Sequence, residues 1–306
     1  MELLYKAQTR FLFHAHIKIK IPVFYEDKIF DELFGVLETI DHKYNSYQSG
    51  SYIDIINKNA GSFVNVDETT IKLLRIITFW SDLFEGMYDI TIMPLIRLWG
   101  FYKKENIRIP KKEEIKPILR QVNYKGLEIK EQEVRIQKGQ EIITGSFIKA
   151  YAVDRLVKYM QDIGIQDAII NAGGSTIRAI NNEIHPFWTV NVRNPNDKKM
   201  LFQLHLSNQA YSTSSQNETY VEIDGKQYGH ILNPITGYPS ANKQVGVISD
   251  SCLIGDIVST GLFNQSSERF LSKVEEISTQ SPISAYLIDE SEEIHCSELF
   301  YSLRSR

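Results

Sequence analysis

The sequence predicts an α+β fold, a single compact unit of mixed, largely antiparallel sheet with helices packed on it. Half-buried strands with period-2 alternation recur along the chain, and amphipathic segments of helical period fall between them. No period of about 20–50 residues repeats, and no low-complexity tract or linker separates the two halves, so residues 1–306 are expected to form one domain.

Taken in order, Phe11 to Val23 sets His14, His16, Lys18 and Lys20 opposite Ile17, Ile19 and Ile21, the pattern of a half-buried strand. His14 and His16 have ligand spacing for a strand, but no third ligand accompanies them, so solvent-facing histidines are the expectation. Tyr25 to His42 carries a wide apolar face and predicts a helix. The polar stretch Lys43 to Ser51 has the turn-formers of a loop. A second helix is expected over Asp67 to Phe84, closed by Gly86. Pro94 suits the first turn of a further helix. Lys103 to Val122, with Pro110 and Pro117, predicts a surface loop and a short helix. Tyr124 to Ile136 alternates as a hairpin, with Leu127, Ile129, Val134 and Ile136 inward.

The segment from Glu141 passes from strand through Gly145 and Ser146 into a periodic helix that ends near Gly164. Ala168 to Arg178 predicts a buried strand whose Gly173-Gly174 permits close backbone approach. Phe187–Arg193, Phe202–Leu206 and Ala210–Thr213 should continue the sheet. Tyr220–Ile223 pairs with Tyr228–Leu232 across Asp224-Gly225, a hairpin signal. Val245–Ile248 is a strand that leads into a helix bearing Asp256. A closing helix and strands at Ile283–Ile288 and Glu293–Leu299 complete the chain.

The formal charge of −4 with mixed acidic and basic residues argues against a general nucleic-acid binder, whose phosphate contacts need a basic face. The two cysteines, Cys252 and Cys296, have neither metal nor redox spacing. Met1–Arg10 lacks a basic stretch followed by an apolar run, and no segment has the length of a membrane span. A cytoplasmic protein is expected from the chain as written, and an exported one if Met1 is not the native start.

Several stretches hold candidate chemistry. Asp256 and Thr260, four apart, share one helix face, and two hard oxygen donors on one rigid element suit Mg²⁺. A favourable charge and a packed threonine are the plainer alternative on spacing alone. The Gly145-Ser146 turn at a helix start is a natural anion site, to which Lys149 adds a charge. Asp89 lies among apolar neighbours, where it either caps backbone N–H groups or faces a ligand. Tyr44 and Tyr47 either stack on an aromatic ligand or anchor their loop.

In order, Tyr44-Asn-Ser-Tyr47, Tyr88-Asp-Ile-Thr with Pro94-Leu95 and Leu98-Trp-Gly-Phe101, Lys149-Ala-Tyr-Ala-Val-Asp154, Ile170-Asn-Ala-Gly-Gly174, Tyr211-Ser-Thr-Ser214, His230-Ile-Leu-Asn-Pro-Ile-Thr-Gly237 and Asp256-Ile-Val-Ser-Thr260 follow one another. This series resembles the ApbE family, the FAD:protein FMN transferases, from about residue 10 to residue 265. The resemblance implies an enzyme that uses FAD and Mg²⁺ to move FMN onto a Thr or Ser hydroxyl of an acceptor flavoprotein, with release of AMP. It makes Asp256 and Thr260 metal ligands, with the Ser146 carbonyl as a third. Met87, Tyr88 and Asp89 would line the FAD site with Lys149 and Ile231, and Tyr47 would lie beside it. His230 matches the general base, a role that suits an imidazole near neutral pH.

The chain also departs from that pattern. Ile143-Thr-Gly-Ser-Phe-Ile-Lys-Ala150 stands where the family usually has Asp-Leu-Gly-Gly-Ile-Ala-Lys-Gly, so the acidic FAD contact is replaced by Ile143. The usual Met-Gly-Thr is absent from Phe11–His14, and Asn233 replaces an aspartate. Two further expectations follow: an FAD pyrophosphatase, with water in place of the acceptor, or a flavin-binding protein with a degenerate site.

Overall fold

The computed structural model describes residues 4–102, 107–216, 219–298, 300 and 304–305. The chain opens with strands β1 (Tyr5–Leu12) and β2 (Ala15–Pro22), then helices α1 (Ile29–Tyr44) and α2 (Tyr52–Lys58), and strand β3 (Val64–Asn65). Helices α3 (Glu68–Leu83), α4 (Met93–Leu98) and α5 (Lys112–Leu119) precede a short hairpin, β4 (Glu128–Lys130) and β5 (Glu133–Arg135). Helix α6 (Ile148–Asp162) leads into strands β6 (Ala168–Ala172), β7 (Thr176–Ile180), β8 (Trp188–Arg193), β9 (Met200–Leu206) and β10 (Ala210–Ser215). After hairpin β11 (Tyr220–Ile223) and β12 (Lys226–Gly229) come β13 (Gln244–Ser249), α7 (Cys252–Phe263) and α8 (Ser267–Ser278). Strands β14 (Ile283–Ile288), β15 (Ile294–Cys296) and β16 (Arg304–Ser305) close the described chain.

Eight strands form one sheet in the order β1-β2-β6-β7-β10-β13-β14-β15, and every ladder in it is antiparallel. Its central strands are covered on both faces. Along β14, Ile283, Ala285 and Leu287 join the core beneath the helices, while Tyr286 and Ile288 join a second core under the three-stranded sheet β16-β9-β8. Side chains of a strand alternate between faces, so cover on both sides gives the unbroken burial that β13 and β14 show. A third apolar cluster gathers α4, Trp99, Ile115, Ile143, Val221 and Leu232. Among the described residues, no helix is long and apolar enough to cross a membrane.

The fold differs from the sequence expectations in several places. The strand expected over Tyr228–Leu232 runs over Lys226–Gly229, and Leu232 makes only an isolated bridge to Pro239. Phe11–Val23 is not one strand: Phe13 and His14 (φ 52° and 58°) form the two-residue turn between β1 and β2, so His14 stands at a hairpin tip and only His16 on a strand. The predicted strand over Ala168–Arg178 is likewise a hairpin, turning at Gly173-Gly174. Glu141–Ile143 forms no strand beyond a single bridge from Glu141 to Ile92. Strands β8 and β9 leave the main sheet for the second one. Helix α2, capped by the Ser51 side chain, follows the Lys43–Ser51 loop and has no counterpart among the predicted elements. Lys103–Asn106 of the expected surface loop and Leu299 of the expected last strand lie outside the described residues.

Two helix ends set the position of the site. At the end of α3 the Gly86 N–H bonds the Ser81 carbonyl and the Glu85 N–H bonds the Asp82 carbonyl, a Schellman-like closure in which both Glu85 (φ 55°) and Gly86 (φ 81°) take left-handed conformations. This turns the chain sharply into Met87-Tyr88-Asp89. Helix α7 packs directly on the sheet at Gly255 and on the end of α3 at Gly261, because it lacks side chains at both points. A Cβ on Gly255 would lie 2.5 Å from Ser212 Oγ, and one on Gly261 would lie 2.6 Å from the Phe84 ring. Its other face is thereby held towards the opening between the sheet and the 230–239 loop.

Candidate active site

A cleft of about 930 Å³, its open mouth included, brings together the turn after α3, the start of α6, Ser175 just before β7, the end of β10, the loop after β12 and the cleft-facing stripe of α7. Met87, Tyr88, Asp89, Ser146, Lys149, His230, Ile231, Asp256 and Thr260 all line it. Of the ten residues that the resemblance assigns to the site, only Tyr47 is outside the lining. Tyr47 borders an adjacent hollow with Arg97 and Glu141, and its ring centroid lies 6.2 Å from that of Tyr102, which does line the cleft.

The floor is polar and rich in hydroxyls. The Lys149 ammonium lies 3.3 Å from Asp256 Oδ2 and donates to Ser175 Oγ (3.2 Å) and to Thr176 Oγ1. Thr176 Oγ1 in turn lies 2.9 Å from both oxygens of Asp256. The Thr260 hydroxyl donates to the Asp256 main-chain carbonyl at 2.8 Å, one turn back. Its proton is thus committed and its lone pairs are left for another partner. Ser146 Oγ and the Tyr88 hydroxyl share a hydrogen bond of 3.1 Å. A carboxylate and a hydroxyl oxygen on one helix, with Ser146 lining the same cleft, are hard-oxygen donors of the kind Mg²⁺ takes.

Lys149 and Asp256 face each other because a third residue locks their helices together. Asp154, on α6, accepts from the main-chain N–H groups of Cys252 (2.8 Å) and Leu253 (3.0 Å) and from Ser251 Oγ (2.7 Å). A carboxylate satisfying otherwise unpaired N–H groups at a helix start is favoured by both hydrogen bonding and the helix dipole. In the sequence Asp154 only ends the Lys149–Asp154 motif, with no role assigned to it. Its distance from Asp256 along the chain hides the contact.

His230 is fixed in one tautomer. Its Nδ1 lies 3.0 Å from the Thr219 carbonyl, which can only accept, so Nδ1 carries the proton and Nε2 is the basic atom. Burial lowers its pKa below the ordinary 6.5, against the opposing pull of that hydrogen bond. The ring is therefore neutral at neutral pH.

Asp89 takes the capping role. Its Oδ1 accepts from the Thr91 N–H and hydroxyl, both at 2.7 Å, and its Oδ2 from the Tyr124 N–H at 2.8 Å. Burial raises its pKa and the three donors oppose that rise. Both oxygens hold the turn that carries Met87 and Tyr88, so Asp89 shapes the cleft wall. The opposite wall is apolar: Ile92, Ile96, Ile143 and Leu232 offer a flat ring a surface with no charge. Cys252 is fully buried and burial raises its thiol pKa, which leaves it an inert packing group.

The sequence profile of the ApbE family matches residues 13–287. The chain is a member of the ApbE family. Among its ApbE relatives, a protein from Klebsiella pneumoniae strain 342 named FAD:protein FMN transferase is 27% identical over 257 residues, covering 80% of this chain and 78% of its own. A Vibrio cholerae protein of the same name is 27% identical over 252 residues, covering 80% of this chain and 75% of its own. The crystal structure of the ApbE protein from Thermotoga maritima superposes with a TM-score of 0.90 at 25% identity, over 99% of this chain and all of that one. That likeness bears out the α+β fold with its antiparallel sheets.

Proposed function

We propose that this protein is a Mg²⁺-dependent FAD:protein FMN transferase that acts on a Thr or Ser hydroxyl of an acceptor flavoprotein and releases AMP. The observation that carries this reading is the convergence of Asp256, Thr260, Ser146, Lys149 and His230 on one cleft with an apolar wall. The names of the ApbE relatives from Klebsiella and Vibrio support it.

Asp256 and Thr260, with the Ser146 carbonyl, are the residues to hold the metal. Bound there, Mg²⁺ supplies charge neutralisation to the pyrophosphate oxygens. Lys149 adds a fixed positive charge beside the same oxygens, and the start of α6 adds its dipole. The isoleucine wall takes a ring of FAD and limits water, and Met87, Tyr88 and Ile231 close the other side. Tyr47, through Tyr102, extends an aromatic surface out from the mouth.

The acceptor hydroxyl attacks the phosphorus of the FMN half. A new P–O bond forms, the bond to the AMP oxygen breaks, and the hydroxyl proton passes to His230 Nε2. A neutral imidazole with its lone pair held in one direction suits that transfer. Ile143 contributes wall area here, so the acidic contact usual at its position is not required for the cleft to form.

The test is AMP release from FAD with and without Mg²⁺ and an acceptor domain. Metal-dependent AMP that is lost in Asp256→Ala supports the metal site. AMP at the same rate without acceptor makes the protein a pyrophosphatase. Tight FAD binding with no AMP under any condition leaves only a flavin-binding role.

A further inference from the structure

Asn264 caps the end of α7 and continues the stripe of Asp256 and Thr260, four residues beyond Thr260 as Thr260 is beyond Asp256. Four residues advance a helix by about 6 Å, so the three side chains form a row along the cleft. The Asn264 amide nitrogen donates to the Met87 carbonyl at 3.0 Å and to the Leu232 carbonyl at 3.3 Å. Both partners can only accept, which fixes the amide orientation and leaves Oδ1 on the other side. That oxygen is buried and takes no hydrogen bond among the described residues, although Asn264 is only 8% exposed and lines the cleft. A buried acceptor without a partner is costly, and native proteins rarely keep one without a use.

We infer that Asn264 Oδ1 is a specificity contact that accepts a hydrogen bond from an N–H group of the flavin or adenine of the bound dinucleotide. The inference rests on the reading of FAD as substrate and adds a contact beyond the metal and phosphate groups. Because the same side chain ties Met87 to Leu232, ligand recognition and the spacing of the two cleft walls run through one residue. FAD has two such donors, the flavin imide N–H and the adenine amino group, and the two are separable by analogues.

The experiment measures dissociation constants by flavin fluorescence for FAD, N3-methyl-FAD and an FAD analogue whose purine lacks the 6-amino group. Wild type is compared with Asn264→Leu, which keeps the volume, and Asn264→Ala, with thermal melting as a check on folding. Wild type should bind one of the two analogues at least about tenfold more weakly than FAD, since that analogue leaves Oδ1 unpaired. Folded Asn264→Leu or Asn264→Ala should bind FAD and that analogue alike. Equal binding of all three ligands by wild type overturns the inference, as does discrimination that survives in a folded variant. If both variants unfold, wild-type discrimination between the analogues decides. Wild type that fails to bind FAD at all overturns the functional reading as well, whereas lost discrimination with normal AMP release overturns this inference alone.

Discussion

Lys149 and Asp256 form an ion pair across two helices, the ammonium 3.3 Å from Oδ2 with both side chains about one-tenth exposed. The pair presents a cation to phosphate while it occupies a carboxylate proposed for metal. Lys149→Met should therefore separate the two functions. Without FAD, Mg²⁺ should bind the variant more tightly than wild type, because Oδ2 has lost its competitor. FAD should bind at least about tenfold more weakly, because a charge beside the pyrophosphate is gone. Calorimetric titrations with each ligand check both directions.

The lowered pKa of His230 fixes the shape of the pH profile. The basic form is present throughout the neutral range, so the transfer rate should be flat there and fall only as pH drops through a value below 6.5. His230→Gln should lose about 10²–10⁴-fold in rate together with that acid limb. The stability sign agrees: the unfolded chain binds this proton more readily, so the contribution of His230 is full above 6.5 and is lost as pH falls through the folded value. Rate profiles and denaturation midpoints of both proteins test this.

Asp154→Ala should loosen the metal site from a distance. The substitution leaves two main-chain N–H groups at the start of α7 without their carboxylate, a loss of about 1–2 kcal/mol of stability by analogy with other helix caps. Because α7 carries Asp256, Mg²⁺ affinity should fall with it. Urea unfolding and a metal titration at a temperature where the variant remains folded are the measurements.

Gly261→Ala should act on the other side of the same helix. Its new methyl would meet the buried Phe84 ring at 2.6 Å and push on the turn that presents Met87 and Tyr88. A loss of about 1–3 kcal/mol is expected for such overpacking, with weaker FAD binding. Phe84→Leu in the same chain should recover part of the stability.

Local pattern made much of this legible. Helices α1, α3 and α7 and the hairpin at Asp224-Gly225 follow from period and turn chemistry, and Asp256 and Thr260 meet on one face because four residues make slightly more than one turn. What was not legible was either too short or not local. Phe13-His14 carries no glycine or asparagine to announce a two-residue turn, so β1 and β2 merged into one strand. The transfer of β8 and β9 to a second sheet depends on which faces need covering, which no single segment encodes. The Asp154 cap joins residues about a hundred apart. Asn264 had a usable signal, since it extends the Asp256–Thr260 spacing by another four residues.

The most direct test of the proposed function is the intact mass of an acceptor flavoprotein domain after incubation with the protein, FAD and Mg²⁺. A mass gain of one FMN group on a single Thr or Ser, absent when that residue is alanine and absent with Asp256→Ala, is the predicted result. An unmodified acceptor, with the FAD converted to free FMN and AMP or left intact, would contradict it.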